Sequence, residues 1–400
     1  MTPVPETQGE LILLPALKGQ RGPHGGLVLT QKYLDGAAEF ARFWPGRVTS
    51  LIEVNDERTS DMDHVEVMPG KGDVALEERP VARTDLAARL SRAAVVLAFL
   101  SPFEARVTNL CKKIGVPLVF TSEYSPDTEC QIIDAEVGNP LLRVRRKLWV
   151  RKAERIRRAM LRLASGIQCS GTPTYELYRD RTPEALLFFD NRVRGDAVIR
   201  PEALVAKSAG ILSGAPLRLV FGGRLIAMKG VLELPLVAQE LSRIGVNYTL
   251  DIFGSGPLEV ALSEQIRSLG LQNRVALRGV LDFATGWVPQ LRDRTDLFLC
   301  CHPQGDPSST YPEVMSCGVP IAGYGNEAFM GIVRHSDAGW AVPTGDAPAL
   351  ARVVQRLDHA RSELSAAAGR ARTFADAHVF EKTFARRAEH LARASQRRQS

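Results

Sequence analysis

Cysteine is scarce and scattered. Its six residues (Cys111, Cys130, Cys169, Cys300, Cys301 and Cys317) share no C-x-x-C spacing and no partnered histidine cluster. A zinc site or disulfide framework is therefore not expected; buried thiols in a reduced, cytosolic compartment are. Long apolar runs are missing too: AAVVLAFL (93–100) is only strand-sized, far below the roughly 18 residues that a span of the bilayer needs. The first ten residues, MTPVPETQGE, lack the basic start and apolar stretch of a secretory signal. Neither half has a G-x-G-x-x-G after its first strand with an acidic residue about 20 positions on, which argues against a dinucleotide-dependent dehydrogenase. Repeats of short period and low-complexity tracts are also absent.

What is present is an ordinary globular composition: 45% hydrophobic and 24% charged residues over a chain of 400. That length exceeds what one hydrophobic core organises, so two domains are expected. The net charge of +6 suits an anionic partner without choosing one. Apolar strand-like stretches at 10–17, 48–54, 93–100, 116–123 and 166–170 alternate with helical spacing in the first half. There 18–26 reads as a loop, 27–43 as a helix and 55–80 as loop and short edge strands. A second series runs through 217–223, 247–256, 274–280, 296–303, 319–325 and 339–346, again with helices between. The alternation predicts two α/β domains, each a doubly wound Rossmann-like sheet. The boundaries read as 1–200 and 201–376, with a final helix, 377–398, rejoining the first domain. Ligands of such sheets bind at the carboxyl ends of the strands, in the cleft between domains.

The stretch FGGRLIAMKGV (221–231) puts Gly222, Gly223, Arg224 and Lys229 where a strand hands over to a helix. Glycines admit a close backbone approach, the helix start offers free N–H groups, and Arg and Lys supply a fork and a point charge for phosphate oxygens. A solvated Arg and Lys are the alternative. Further on, CHPQGDPSSTYPEVMSCGVP (301–320) ends a strand, carries Asp306 in a loop and opens a helix near Pro312. Ser308, Ser309 and Thr310 crowd that helix start, able to cap it or to hold phosphate. Glu313 in the first turn either stabilises the helix dipole or accepts two ribose hydroxyls.

The succession G-G-R-L-x-x-x-K-G, DIFGSGP, RVALRGV and HP…PEVMSCGVPIAGY…NEA…GWAVPTGD resembles the carboxy-terminal domain of retaining GT-B glycosyltransferases of family 4, over about 215–375. The resemblance implies that Arg224 and Lys229 hold a donor diphosphate and that Glu313 binds the nucleotide ribose. It further implies that backbone amides of Ser309, Thr310 and Tyr311 help hold phosphate, and that Asn326 and Glu327 contact donor sugar and phosphate. One departure stands out. Where members often carry another glutamate eight positions before the ribose one, this chain has Gly305, with Asp306 beside it: either Asp306 takes over the sugar contact or the loop QGDPSST is rebuilt.

The first half resembles the family more loosely. Gly25 and Gly26 fit a glycine pair near donor phosphate, with His24 beside them as an acceptor contact or a solvated loop residue. Glu123, Tyr124 and Asp127 follow a strand end; they either orient an acceptor hydroxyl or cap a turn. The segment 143–162 holds ten Arg and Lys and one Glu. Its stripe of Trp149, Ala153, Ile156, Met160 and Leu163 is expected in the core, leaving the cations for an anionic membrane surface. Nucleic acid is not expected, since no groove-reading motif or stacking aromatic series accompanies the charge.

The expected activity is transfer of a sugar from a UDP- or GDP-linked donor, with retained configuration, to a hydroxyl of a lipid-linked or saccharide acceptor in cell-envelope or exopolysaccharide assembly. No cofactor is expected. Metal independence is expected as well, because no D-x-D is flanked by apolar strand residues; the one close pair, in DMD (61–63), sits in a polar stretch. A nucleotide-sugar epimerase of the same shape, or a non-catalytic sugar-nucleotide or membrane-binding scaffold, stays open as an alternative.

Overall fold

The computed structural model describes residues 9–55, 64–68, 70 and 72–396; the carboxylate pair at 61–63 lies outside them. The first domain supplies β1 (Glu10–Leu14), β2 (Lys18–Arg21), β3 (Leu27–Thr30), β4 (Val48–Val54), β5 (His64–Val67), β6 (Val74–Glu78), β7 (Ala93–Phe99), β8 (Leu118–Ser122), β9 (Gly166–Ser170) and β10 (Ala185–Phe188). Strand order is β10-β9-β8-β7-β1-β4-β2-β3-β5, with β6 also on β4. All pairs are parallel except β2/β3 and β3/β5. Helices cover both faces of the parallel part, so β1, β4 and β7 are apolar runs rather than alternating ones.

The second domain supplies β11 (Leu217–Gly222), β12 (Tyr248–Phe253), β13 (Val275–Gly279), β14 (Leu297–Cys300), β15 (Ile321–Tyr324) and β16 (Gly339–Val342). They lie in the order β13-β12-β11-β14-β15-β16, all parallel. This is the doubly wound order 3-2-1-4-5-6, which opens a crevice between its first and fourth strands. In the first domain the corresponding reversal lies between β1 and β7. The helix Phe380–Gln396 returns to that domain, where Phe384 meets Phe40 edge to face at 5.0 Å. The two facing doubly wound domains form a GT-B fold.

Three local expectations need correction. Residues 18–30 are a β2–β3 hairpin, not a loop running into a helix: LVLT alternates, pairs with β2, and ends at Thr30, whose hydroxyl caps the helix Gln31–Phe43. The α-helix expected near Lys229 begins at Leu234. Two 3₁₀ turns, Ala227–Lys229 and Val231–Glu233, precede it, separated by Gly230 at φ +60°. Finally, Trp149 is not in the core. The helix Pro140–Leu161 buries Val150, Ala153, Arg157, Met160 and Leu161. Trp149 is 45% exposed and shares the outer face with Leu141, Val144 and Leu148.

Candidate active site

The crevice between β11 and β14 is a cavity of about 490 Å³. Its floor is the end of β11, Gly222 to Arg224; one wall is Val280 to Phe283 with Trp287, and the other is Thr310 and Glu313. The glycine pair has a packing reason besides ligand approach. A Cβ on Gly222 would come within 2.3 Å of the Trp287 ring, so the ring that walls the cavity requires glycine there.

Arg224 is exposed and has no ion-pair partner among the described residues. Lys229 is different: it is buried, and its Nζ donates to Asp306 Oδ2 at 2.5 Å and to Ser308 Oγ at 3.5 Å. The sequence reading treated Lys229 and Asp306 as separate contacts, for phosphate and sugar; the fold joins them in one buried ion pair. Gly305 has a physical explanation. A Cβ there would sit 2.7 Å from Thr128 Oγ1, and the Gly305 backbone bonds both Thr128 and Gln131 of the first domain. A glutamate at 305 would clash with the helix Pro126–Glu136.

Glu313 is buried in the first turn of the helix Thr310–Ser316 and accepts from Arg192 Nε at 3.1 Å. The Arg192 guanidinium lies 4.5 Å from the centre of the Phe283 ring. Arg192, Phe283 and Trp287 are site residues that the sequence reading missed. Arg192 sits in a connecting segment, DNRVRGD, with no periodicity to mark it. The backbone amides of Ser309 and Thr310 have no acceptor among the described residues. Tyr311 turns its ring into the core beside His302 and Phe329, leaving only its backbone at the helix start.

Asn326 is fully engaged: its Oδ1 caps the helix Glu327–Ser336 through Phe329 N, and its Nδ2 donates to His302 O at 3.0 Å. Glu327 accepts from Ser125 Oγ at 3.1 Å across the cleft. These two side chains fix the loop and the domain contact. In the loop 302–306, His302 Nε2 and Gln304 Oε1 are buried without partners. Burial, with Lys229 nearby, holds His302 neutral.

On the first-domain side, Glu123 follows β8 into the cleft. Glu123 is exposed there, with charged groups of both domains near it. Desolvation raises its pKa, Asp306 adds to the rise, and Lys32 and Lys229 oppose it. Tyr124 is held protonated by burial and by the same carboxylates. Asp127 is an exposed acid in the first turn of Pro126–Glu136, whose cap is Ser125. His24, Gly25 and Gly26 lie in the β2–β3 turn, where the His24 and Gly26 amides each donate to Glu66 at 3.0 Å. They are not the loop after β1. That loop is Pro15 to Leu17, and it lines a second cavity with Lys32 and Asp190.

Comparison with known proteins fits this geometry. Residues 209–373 match the family described as glycosyl transferases group 1. The amylovoran biosynthesis glycosyltransferase AmsK of Erwinia amylovora is 27% identical over 204 residues, 48% of this chain and 49% of that protein. The 2-deoxystreptamine N-acetyl-D-glucosaminyltransferase of Streptomyces fradiae is 27% identical over 158 residues, 39% of this chain and 37% of that protein. The match thus spans about half the length of the first relative and less of the second. Among solved structures, a sucrose-phosphate synthase of Thermosynechococcus elongatus superposes with TM-score 0.62 at 16% identity, over 96% of this chain and 98% of its own. Anabaena HepE in complex with UDP gives 0.61 at 16% identity, over 95% and 98%. The lipopolysaccharide outer core galactosyltransferase WaaB gives 0.63 at 13% identity, over 97% and 99%. Over residues 209–373 this chain is similar to the glycosyl transferases group 1, and the two domains together have the GT-B fold of the solved structures.

Proposed function

We propose that the protein transfers a sugar from a nucleoside diphosphate sugar, UDP- or GDP-linked, to an acceptor hydroxyl with retained anomeric configuration. The observation that carries this is the cavity at the β11/β14 crevice, where a buried carboxylate, Glu313, and Arg224, a cation with no ion-pair partner among the described residues, line one space. The nucleoside lies along Val280 to Phe283 and Trp287, its ribose hydroxyls on Glu313. The diphosphate meets Arg224 and the free amides of Ser309 and Thr310. As the sugar–phosphate bond breaks, negative charge grows on the leaving diphosphate, and fixed cations and N–H dipoles favour that state over the ground state. Lys229, already neutralised by Asp306, contributes less than Arg224. The pair also puts a carboxylate next to the transferred sugar. No metal or cofactor enters this scheme.

Two further parts of the reading rest on the relatives and on one helix. AmsK takes its name from amylovoran biosynthesis, which favours exopolysaccharide assembly and a lipid-linked or saccharide acceptor. The outer face of Pro140–Leu161 carries Leu141, Val144, Leu148 and Trp149 among Arg145, Arg151, Lys152 and Arg155, with Phe103 6.2 Å from Trp149. Exposed apolar and basic groups on one face suit the interface of an anionic membrane, which supports a peripheral enzyme on its cytoplasmic side. No helix among the described residues is long and apolar enough to cross a membrane.

Incubation with labelled UDP- and GDP-sugars, scoring hydrolysis, transfer and epimerisation, tests the chemistry. Hydrolysis that survives EDTA is expected; epimerised donor without transfer, or no turnover of any donor, defeats the proposal. Binding to anionic vesicles that is lost in Trp149→Ser/Leu148→Ser tests the membrane face.

A further inference from the structure

The reversal of strand order in the first domain, between β1 and β7, also opens onto a cavity, of about 340 Å³. Its walls are mostly apolar: Leu14, Leu17, Phe40, Phe99, Phe380 and Phe384. Its charged groups are Lys32, Asp190, Glu123 and Arg387. Arg387 is the unusual one. It is only 8% exposed, and its guanidinium lies 4.3 Å from the Phe188 ring centre and 4.9 Å from those of Phe40 and Phe384. Its Nε donates to Gln168 Oε1 at 2.8 Å, yet no carboxylate among the described residues forms an ion pair with it. The nearest carboxylate electrostatically, Asp190, is bound to Lys32 at 2.6 Å.

A buried cation without a counter-charge is costly. Three aromatic faces offset part of that cost, each by a modest amount. Burial also lowers the Arg387 pKa to about 10, which still leaves it charged at neutral pH. With Asp190 held by Lys32, what Arg387 lacks is an anion of its own, and the adjoining walls select an apolar body attached to it.

We infer that this cavity binds the acceptor, and that the acceptor is an amphiphilic anion: a phosphate or carboxylate received by Arg387, joined to an apolar chain or ring lying among the leucines and phenylalanines. This rests on the sugar-transfer reading, and it places the acceptor beside Glu123, whose carboxyl interacts electrostatically with Asp306 and Lys229 of the donor side. Lys207, equally buried, makes a useful contrast. It donates to the carbonyls of Leu291 and Thr295 at 2.8 and 2.7 Å, so its ammonium is satisfied by backbone alone. The terminal nitrogens of Arg387 have no such acceptor among the described residues.

The test is calorimetric titration of the full chain with decyl phosphate, decanol, decylamine and 4-phenylbutyrate, each below its aggregation concentration. Decyl phosphate or 4-phenylbutyrate should bind at least tenfold more tightly than decanol, and decylamine weakest. Preference for the first would point to a chain-borne phosphate, preference for the second to a ring-borne carboxylate. Arg387→Gln should shrink the preference for the anion to within about twofold, and Arg387→Lys should keep part of it. If Arg387→Gln does not fold, the ranking on wild-type protein decides alone. Equal binding of all four, binding of none, or an anion preference untouched in a folded Arg387→Gln overturns the inference. UDP titrated into wild-type protein reads the donor site separately. UDP binding without anion preference defeats this inference alone; anion preference without UDP binding defeats the sugar-transfer reading.

Discussion

The two crevices of this protein are built alike and charged differently. Both lie where strand order reverses, β11 against β14 in one domain and β1 against β7 in the other. At the second-domain crevice, opposite charges are already matched, Lys229 with Asp306 and Arg192 with Glu313, while Arg224 has no ion-pair partner among the described residues. In the first, Lys32 is matched with Asp190, but a buried arginine is left over among aromatic rings. Matched pairs suit a polar ligand that exchanges hydrogen bonds on arrival. A leftover buried cation suits a ligand that brings the missing charge together with apolar surface. The fold supplies the place; the pairing of side chains decides what fits there.

The largest effect expected from breaking this contrast is on stability. Removing one member of a buried ion pair leaves the other uncompensated, at a cost of about 3–5 kcal/mol. Lys229→Met and Asp306→Leu should each lower denaturant stability by that order, and the double substitution should recover most of it. Losses under 1 kcal/mol in both single variants would show that water already screens the pair.

Arg224→Ala comes next. Stability should stay within about 0.5 kcal/mol of wild type because Arg224 is exposed and unpaired. Transfer should fall by about 2–4 kcal/mol in transition-state terms, as for loss of one donor to a developing oxyanion. Near-normal turnover would move the diphosphate elsewhere. Glu313→Gln is third: UDP affinity should drop about tenfold, consistent with hydrogen bonds to a charged group at about 1.5–3 kcal/mol. Affinity for 2′-deoxy-UDP should drop less than threefold. Equal losses would mean that Glu313 serves only to hold Arg192 and its helix start.

The matched side was more legible in the sequence than the unmatched one. Strand-end glycines, Arg224 and Glu313 sit at positions that local pattern marks, and each of the six second-domain strands falls within a predicted stretch. The pairing of Lys229 with Asp306, 77 residues apart, follows from the crevice and not from either motif. Arg387 reaches the first-domain sheet from the last helix, beside Gln168 219 residues earlier; no window of sequence contains that contact. Trp149 was misplaced for a different reason. Ala153 and Met160 belong to both possible stripes of the helix, and the buried member that settles the phase is Arg157, whose charge is met by Glu129 at 2.5 Å. A rule that sends arginine outward selects the wrong face. Only the start of the helix expected at 27–43 differs, with the helix beginning at Gln31, because LVLT fits either period over four residues.

Glu123 lies between the two crevices, lining the first-domain cavity while interacting with Asp306 and Lys229 of the second domain, and it gives the smallest and most diagnostic effect. Desolvation first, then Asp306, raise its pKa above the ordinary 4.5. The folded state therefore binds a proton that the unfolded chain has released, across the interval from about 4.5 to the raised value. Linkage makes folding stability fall as pH rises through that interval. Below it both states are protonated and the penalty is absent; above it the full penalty is present. Glu123→Gln removes the titration. Relative to wild type, its melting temperature should rise at pH 8 and match at pH 4. The gap at pH 8 should be unchanged by uncharged decanol and should widen with decyl phosphate, whose charge opposes the Glu123 carboxylate. A melting-temperature difference that is the same at both pH values would mean that the carboxyl is solvated and that the crevices are electrically separate.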